Sequence, residues 1–254
     1  MSLQIRIVNA SHGWRWIIAG AHIFRKNPAQ WLLLIALLFI ASRVLLMVPL
    51  LGIIAVLIAP NFLAGLAHGA QALDEGKPLR LGYLASGFLR NAPQLITIGG
   101  VSLVGQLLTL MVMVQIGGEA MASISKTMVA GAASAETMGA VQANMPGIML
   151  ALLTGLALSI PVMMAVWFAP LLVFFDDVKP LPALGLSLLT CFRNILPFLV
   201  YGLAILVPVV IMAPLSLAAR QPDLGLWLLA PILVPSIYVS YKDLFVPVSA
   251  IKPQ

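Results

Sequence analysis

The sequence predicts an all-α integral membrane protein with six transmembrane helices, arranged as three parallel two-span repeats, each preceded by an amphipathic interfacial helix. Three observations lead there. Apolar residues make up 61% of the 254 and charged residues only 9%, against roughly 25% charged in ordinary soluble domains. Too few charges exist to cover a water-exposed surface, so lipid must be the main solvent. Six apolar stretches follow one another, at about 30–47, 53–71, 93–115, 147–172, 195–217 and 224–241. Each approximates the ~20 residues that cross a hydrocarbon core of ~30 Å at ~1.5 Å per residue. Finally, a basic residue and an asparagine open a span three times, and Ala-Pro follows in the next span. The copies are Lys26-Asn27 with Ala59-Pro60, Arg90-Asn91 with Ala169-Pro170, and Arg193-Asn194 with Ala230-Pro231.

Taken in order, the first ten residues carry Arg6 but no apolar run of signal-peptide length, so the first span is expected to stay uncleaved. A helix is expected from Ser11 to Lys26, because Trp14, Ile17, Ile18, Ala21 and Phe24 recur at helical spacing. Ser11 is suited to cap it, and Pro28 breaks the chain before the next helix. Its Trp-rich stripe and basic ends suit the headgroup level of a bilayer. Packing on the cytoplasmic face of the spans is the other reading, and the two are compatible. Corresponding segments, Leu79–Arg90 and Leu181–Arg193, precede the third and fifth spans. Each follows an acid two residues before Lys-Pro-Leu, in Glu75-Gly76-Lys77-Pro78-Leu79 and Asp177-Val178-Lys179-Pro180-Leu181.

These marks divide one membrane domain, 1–254, into repeat units of about 11–74, 75–176 and 177–246. The asparagine-to-proline distance is similar in the first and third units and longer in the second. The surplus is expected as an extracytoplasmic insertion at about 117–147, rich in Ala, Ser, Gly and Met. Two spans per unit point every unit the same way, so the repeats are parallel, about an axis along the membrane normal.

Orientation follows from the basic residues. With both termini cytoplasmic, eleven of the fourteen Lys and Arg lie inside, leaving Arg43, Lys126 and Arg220 outside. Glu119, Glu136 and Asp223 fall outside with them. The net charge of +6 is thus a signature of topology and anionic headgroups. No nucleic-acid partner is expected, because no basic face is interleaved with stacking aromatics. Cys191 is the only cysteine, which excludes an internal disulfide.

Candidate chemistry is sparse. Pro60, Pro161, Pro170, Pro208, Pro231 and Pro235 lie within spans and can free carbonyls for a ligand. The equivalence of Pro60, Pro170 and Pro231 favours a shared packing kink instead. No acid falls mid-span, which weakens any proton- or sodium-coupled transport mechanism. Asp176 and Asp177 follow Phe174-Phe175 at a span end, where a solvated helix terminus is favoured over a metal-binding pair. Arg43 is expected to snorkel toward the outer interface. Thr97, Gln106, Thr109 and Ser159 are expected as hydrogen-bond partners between helices. His12, His22 and His68 lack the i, i+4 spacing of a helical ligand pair. There is no Gly-rich phosphate loop, nucleophile elbow or cysteine pair. No metal, cofactor or catalytic residue is expected. The repeat positions Lys26, Asn27, Pro60, Arg90, Asn91, Pro170, Arg193, Asn194 and Pro231, with Asp176 and Asp177, remain as structural or functional candidates.

The start His12-Gly13-Trp14, Phe24-Arg25-Lys26-Asn27-Pro28 and the later Val48-Pro49-Leu50-Leu51-Gly52 resemble a family of six-span inner-membrane proteins of Gram-negative bacteria. The resemblance implies location and span number and brings no substrate or catalytic residue. The span layout also resembles the membrane domain joined to some bacterial glycerophosphodiester phosphodiesterases. No soluble phosphodiesterase domain lies within these 254 residues, so that activity is not carried over.

The leading expectation is a non-enzymatic inner-membrane protein that organises lipids or partner proteins, with a membrane-protein partner or a homo-oligomer left unspecified. The alternative is a transporter or channel for an uncharged or lipid-like solute, sited where the proline-kinked spans meet. A third reading is a lipid-headgroup enzyme using Asp176 and Asp177.

Overall fold

The computed structural model describes residues 3–130, 139, 142 and 144–247. Nine helices and one strand pair occur among the described residues. They are β1 (Leu3–Ile5), α1 (His12–Lys26), α2 (Pro28–Leu46), α3 (Pro49–Asp74), α4 (Tyr83–Leu89), α5 (Ala92–Ala130), α6 (Met145–Asp176), α7 (Pro180–Arg193), α8 (Ile195–Ala218), α9 (Leu224–Leu244) and β2 (Phe245–Pro247). Six helices are long and apolar enough to cross a membrane: α2, α3, the Ala92–Gly118 part of α5, α6, α8 and α9. They match the six expected stretches in order.

Local sequence explains most boundaries. Proline stands at the first turn of α2, α3 and α7, where its missing N–H costs no helical bond and its fixed φ starts the helix. Gly76 ends α3 at φ +80°, with Lys77 N–H on Ala72 O and Gly76 N–H on Leu73 O, the pairing of a Schellman end. Arg220 ends α8 the same way at φ +53°, through Gln221 N–H on Ser216 O. Within α5, Gly118 leaves helical geometry (φ 43°, ψ −122°) and the helix resumes to Ala130. The expected insertion at 117–147 therefore begins as helix, in keeping with its helix-forming alanines and methionines. Most of its remainder, including Glu136, lies outside the described residues, as does Lys252.

The chain forms two compact units, one of residues up to Gly100 with those from Met164 onward, the other Val101–Met163. In the second, Gly105 faces Val162, 2.7 Å from where a Cβ would stand, and Gly155 faces the Met113 side chain. Small residues thus let two spans approach, as lipid-embedded packing requires. The first unit holds the larger core. Buried α3 alanines (Ala64, Ala67, Ala70) meet Trp31, Leu95, Ile98 and Phe168. Of the most apolar stretches, 44% of α9 is buried inside the protein against 11% of α8. α9 is central and α8 largely lipid-facing, as Ile211 and Leu217 (72% and 78% exposed) illustrate.

Glycines seat the short helices. Gly13 of α1 lies against Pro197 O of α8, and a Cβ on Gly20 would stand 2.7 Å from Ser236 Cβ of α9. The α1 face packed on protein is Gly13, Trp16, Gly20 and Ile23. Trp14 and Ile18 of the anticipated stripe stay 54% exposed. Ser11 makes no side-chain capping bond. α4 is shorter than expected, starting at Tyr83 rather than Leu79. It rests on α3 where Gly65 meets Tyr83 O and Gly87 meets Asn61 O. The strand pair was not anticipated: β1 and β2 are antiparallel, with Gln4 opposite Val246 and Ile5 opposite Phe245.

Candidate functional site

Three spans of the first unit, α3, α6 and α9, end in acids at one end of that unit, and each acid is engaged. Asp74 accepts from Lys242 Nζ (2.7 Å) and Tyr238 OH (3.4 Å). Asp176 accepts from Tyr241 OH. Asp177 accepts from Arg90 Nη2 (2.9 Å) and Asn91 Nδ2 (2.7 Å). Asp243 accepts from Arg6 (2.9 Å), His12 Nδ1 (2.7 Å) and Trp16 Nε1 (2.9 Å). Tyr238 and Tyr241 both face Phe175, so α9 carries two phenols over the ends of α3 and α6. Asp176 and Asp177 point to different partners. Asn91 and Arg90 hold Asp177 below the usual carboxylate range, as hydrogen bonds to the charged form do.

The repeat asparagines diverge. Asn27 accepts from Gln30 N–H (3.4 Å) at the start of α2, while its neighbour Lys26 donates to Leu73 O (2.9 Å). Asn91, at φ +58°, reaches Val173 O (2.8 Å) as well as Asp177. Asn194, 1% exposed, donates to Arg6 O (3.1 Å) and Thr190 O (3.0 Å) and accepts from Val8 N–H (2.9 Å). Arg193 is exposed. Lys26, Asn91 and Asn194 thus all donate to backbone carbonyls.

Pro60, Pro170 and Pro231 are all buried. Next to Pro60, Asn61 is fully buried and donates to Gly87 O (2.9 Å). Above Pro170, Ser187 of α7 enters the α6 ladder: it accepts from Phe168 N–H (2.9 Å) and donates to Met164 O (2.6 Å). In a regular helix those two groups bond each other, so the hydroxyl bridges one rung of the α6 ladder, just before Pro170. Cys191 Sγ also reaches Met164 O (3.6 Å); burial pushes its thiol up to about 12. Near Pro231, Ser236 pairs with Tyr201 OH (2.6 Å).

A cleft of ≈330 Å³ beside Ala59 and Ala230 lies among α2, α3 and α9, with Leu38, Ile58, Phe62 and Trp227 in its wall. Its lining is almost wholly apolar, and Ser42 spends its hydroxyl on Phe39 O. The cleft is open to its surroundings, and such a lining suits hydrocarbon better than water. At the end of α2 near this cleft, Arg43 does more than snorkel. It pairs with Asp223 (2.6 Å) and Gln221 (2.7 Å), while Trp227 Nε1 donates to Asp223 (2.9 Å). Burial draws Asp223 upward, but the Trp227 and Arg43 bonds outweigh it and hold it below the usual range.

The intraspan polar groups also depart from expectation. Thr97, Gln106, Thr109 and Ser159 bond within their own helices, to Pro93 O, Ser102 Oγ, Gly105 O and Gly155 O. The residue one turn back is the nearest acceptor available to a short side chain in lipid. Among the described residues, no three His, Cys, Asp or Glu converge as a metal site.

What remains uncompensated is positive. Every acid whose side chain is described has a partner. By contrast Arg15, Arg25, Arg80, Lys179 and Arg193 are exposed with no partner among the described residues. Arg15 and His22 line a groove of ≈460 Å³ between α1 and α9, with Ile18, Val239, Asp74 and Lys242.

Over 206 residues the chain is 28% identical to a probable inner membrane protein of Burkholderia thailandensis, a match covering 79% of this chain and 74% of that protein. The relative and the six apolar helices agree. The chain is a multi-pass inner-membrane protein. No family model and no solved structure matches it.

Proposed function

We propose that this inner-membrane protein is non-enzymatic and organises lipids or partner proteins, with both termini and the acid-clasp end of the first unit in the cytoplasm. The observation that carries this reading is the charge balance at that end. The acids are consumed internally, while exposed arginines and lysines of α1, α7 and the adjoining loops are left to face anionic headgroups. Buried Pro60, Pro170 and Pro231, and the acids closing α3, α6 and α9, support three parallel two-span repeats. α1, α4 and α7 then serve as the interfacial helices of the three units.

The test is retention of lipid and protein through purification in a mild detergent. Co-purification of phosphatidylglycerol, or of a defined membrane-protein partner, supports the reading. A monomer carrying neither would overturn it.

A second reading, movement of a lipid-like solute, draws on the apolar cleft at Ala59 and Ala230. Filling it with Ala59→Phe and Ala230→Phe would abolish lipid movement in reconstituted vesicles if this reading holds. Transfer equal to the unsubstituted protein would remove it.

A further inference from the structure

The groove between α1 and α9 combines two properties that few ligands satisfy together. Its charged groups are Arg15, Lys242 and Asp74, with His22 beside them. Asp74 is occupied by Lys242 and by Tyr238 OH, which leaves Arg15 as uncompensated charge and His22 as a further polar group. Neither Arg15 nor His22 has a partner among the described residues. Between them on α1 stands Ile18, 54% exposed. Val239 supplies apolar surface from the α9 side. A soluble anion would satisfy the arginine and leave Ile18 in water. A neutral lipid would cover the apolar groups and leave the charge.

We propose that this groove binds one anionic phospholipid, with its phosphate between Arg15 and Lys242 and its upper methylenes along Ile18 and Val239. Arg15 supplies a planar set of donors that matches phosphate oxygens. Lys242, its charge balanced by Asp74, adds a further N–H donor rather than net charge. The seating of α1 by Gly13 and Gly20 on α8 and α9 fixes the groove walls before any lipid arrives. The inference rests on placing this end of the unit at the cytoplasmic interface and adds a position and a ligand class to it.

The experiment is native mass spectrometry of the full chain titrated with phosphatidylglycerol or phosphatidylethanolamine. The unsubstituted protein should favour phosphatidylglycerol, and Arg15→Gln alone should weaken the first binding event by about tenfold. That single variant leaves the Lys242–Asp74 pair intact. Arg80→Gln/Arg193→Gln, which removes exposed charge outside the groove, should weaken the first event far less than Arg15→Gln does, and millimolar inorganic phosphate should not compete. Equal weakening in both variants would overturn the groove while leaving the interfacial reading intact. Competition by inorganic phosphate would overturn the phospholipid as ligand. No preference for phosphatidylglycerol in the unsubstituted protein would overturn the groove as an anionic-lipid site, while the proposed function would still stand or fall on the co-purification test.

Discussion

Replacing Ser187 with alanine tests the bridge from α7 into the ladder of α6. The hydroxyl serves two buried backbone groups, Phe168 N–H at 2.9 Å and Met164 O at 2.6 Å. Without it, Phe168 N–H loses its side-chain acceptor, while the side-chain donor left to Met164 O is the weak Cys191 thiol at 3.6 Å. An unsatisfied buried group costs about 1–3 kcal/mol, and partial closure of the rung within the helix recovers some of that. The expected loss is about 2 kcal/mol, or a fall of about 4–8 °C in Tm for a chain of this size. Cys191 supplies the assay. It is 2% exposed, and burial holds its thiol at about 12, so a thiol-reactive fluorophore reads unfolding at the chain's single cysteine. An unchanged midpoint would show that α6 closes its own ladder and that the bridge contributes nothing.

Asp243→Ala should strip three donors of their acceptor, including Trp16 Nε1 on a side chain 1% exposed. Trypsin should then cut after Arg6 well before global unfolding; unchanged cleavage would refute the clasp. Gly20→Val places new atoms against Ser236 and Ile232 O and should cost about 1–3 kcal/mol as overpacking, read as a lower detergent melting point. Asp177 and Asp223 sit below the usual carboxylate range. Their stabilisation is complete above the unfolded carboxylate value of about 3.9 and is lost as pH falls through the depressed folded values. Asp223→Asn should therefore melt lower at pH 6 and lose less on further acidification; a parallel acid limb would contradict this. Asp177 is mostly exposed, so solvent screening keeps its share small.

The spans were legible because hydropathy over about 20 residues needs no knowledge of partners. Helix starts were legible at Pro28 and Pro180 for a similarly local reason. α1 was harder, since two apolar stripes run along it. The pair Gly13 and Gly20 shares a line with Trp16 and Ile23, and that close-approach signal marks the face packed on protein. The Ser187 bridge and the Arg43–Asp223 pair join residues far apart in sequence, and nothing local announces them. Asp243 drew no expectation, because its donors, Arg6, His12 and Trp16, come from the opposite end of the chain. The β1–β2 pair escaped notice for the same reason. Lys26 and Asn91 were recognisable as special, but their targets are backbone carbonyls that carry no residue signature.

Sidedness bears most directly on the account. With Cys191→Ser as background, single cysteines at Gly82, where a side chain meets open space, and at Ala219 can be labelled in spheroplasts with a membrane-impermeant maleimide. Labelling is expected at 219, and at 82 only once the membrane is permeabilised. The reverse pattern would place the uncompensated arginines and lysines on the wrong face of the membrane and contradict it.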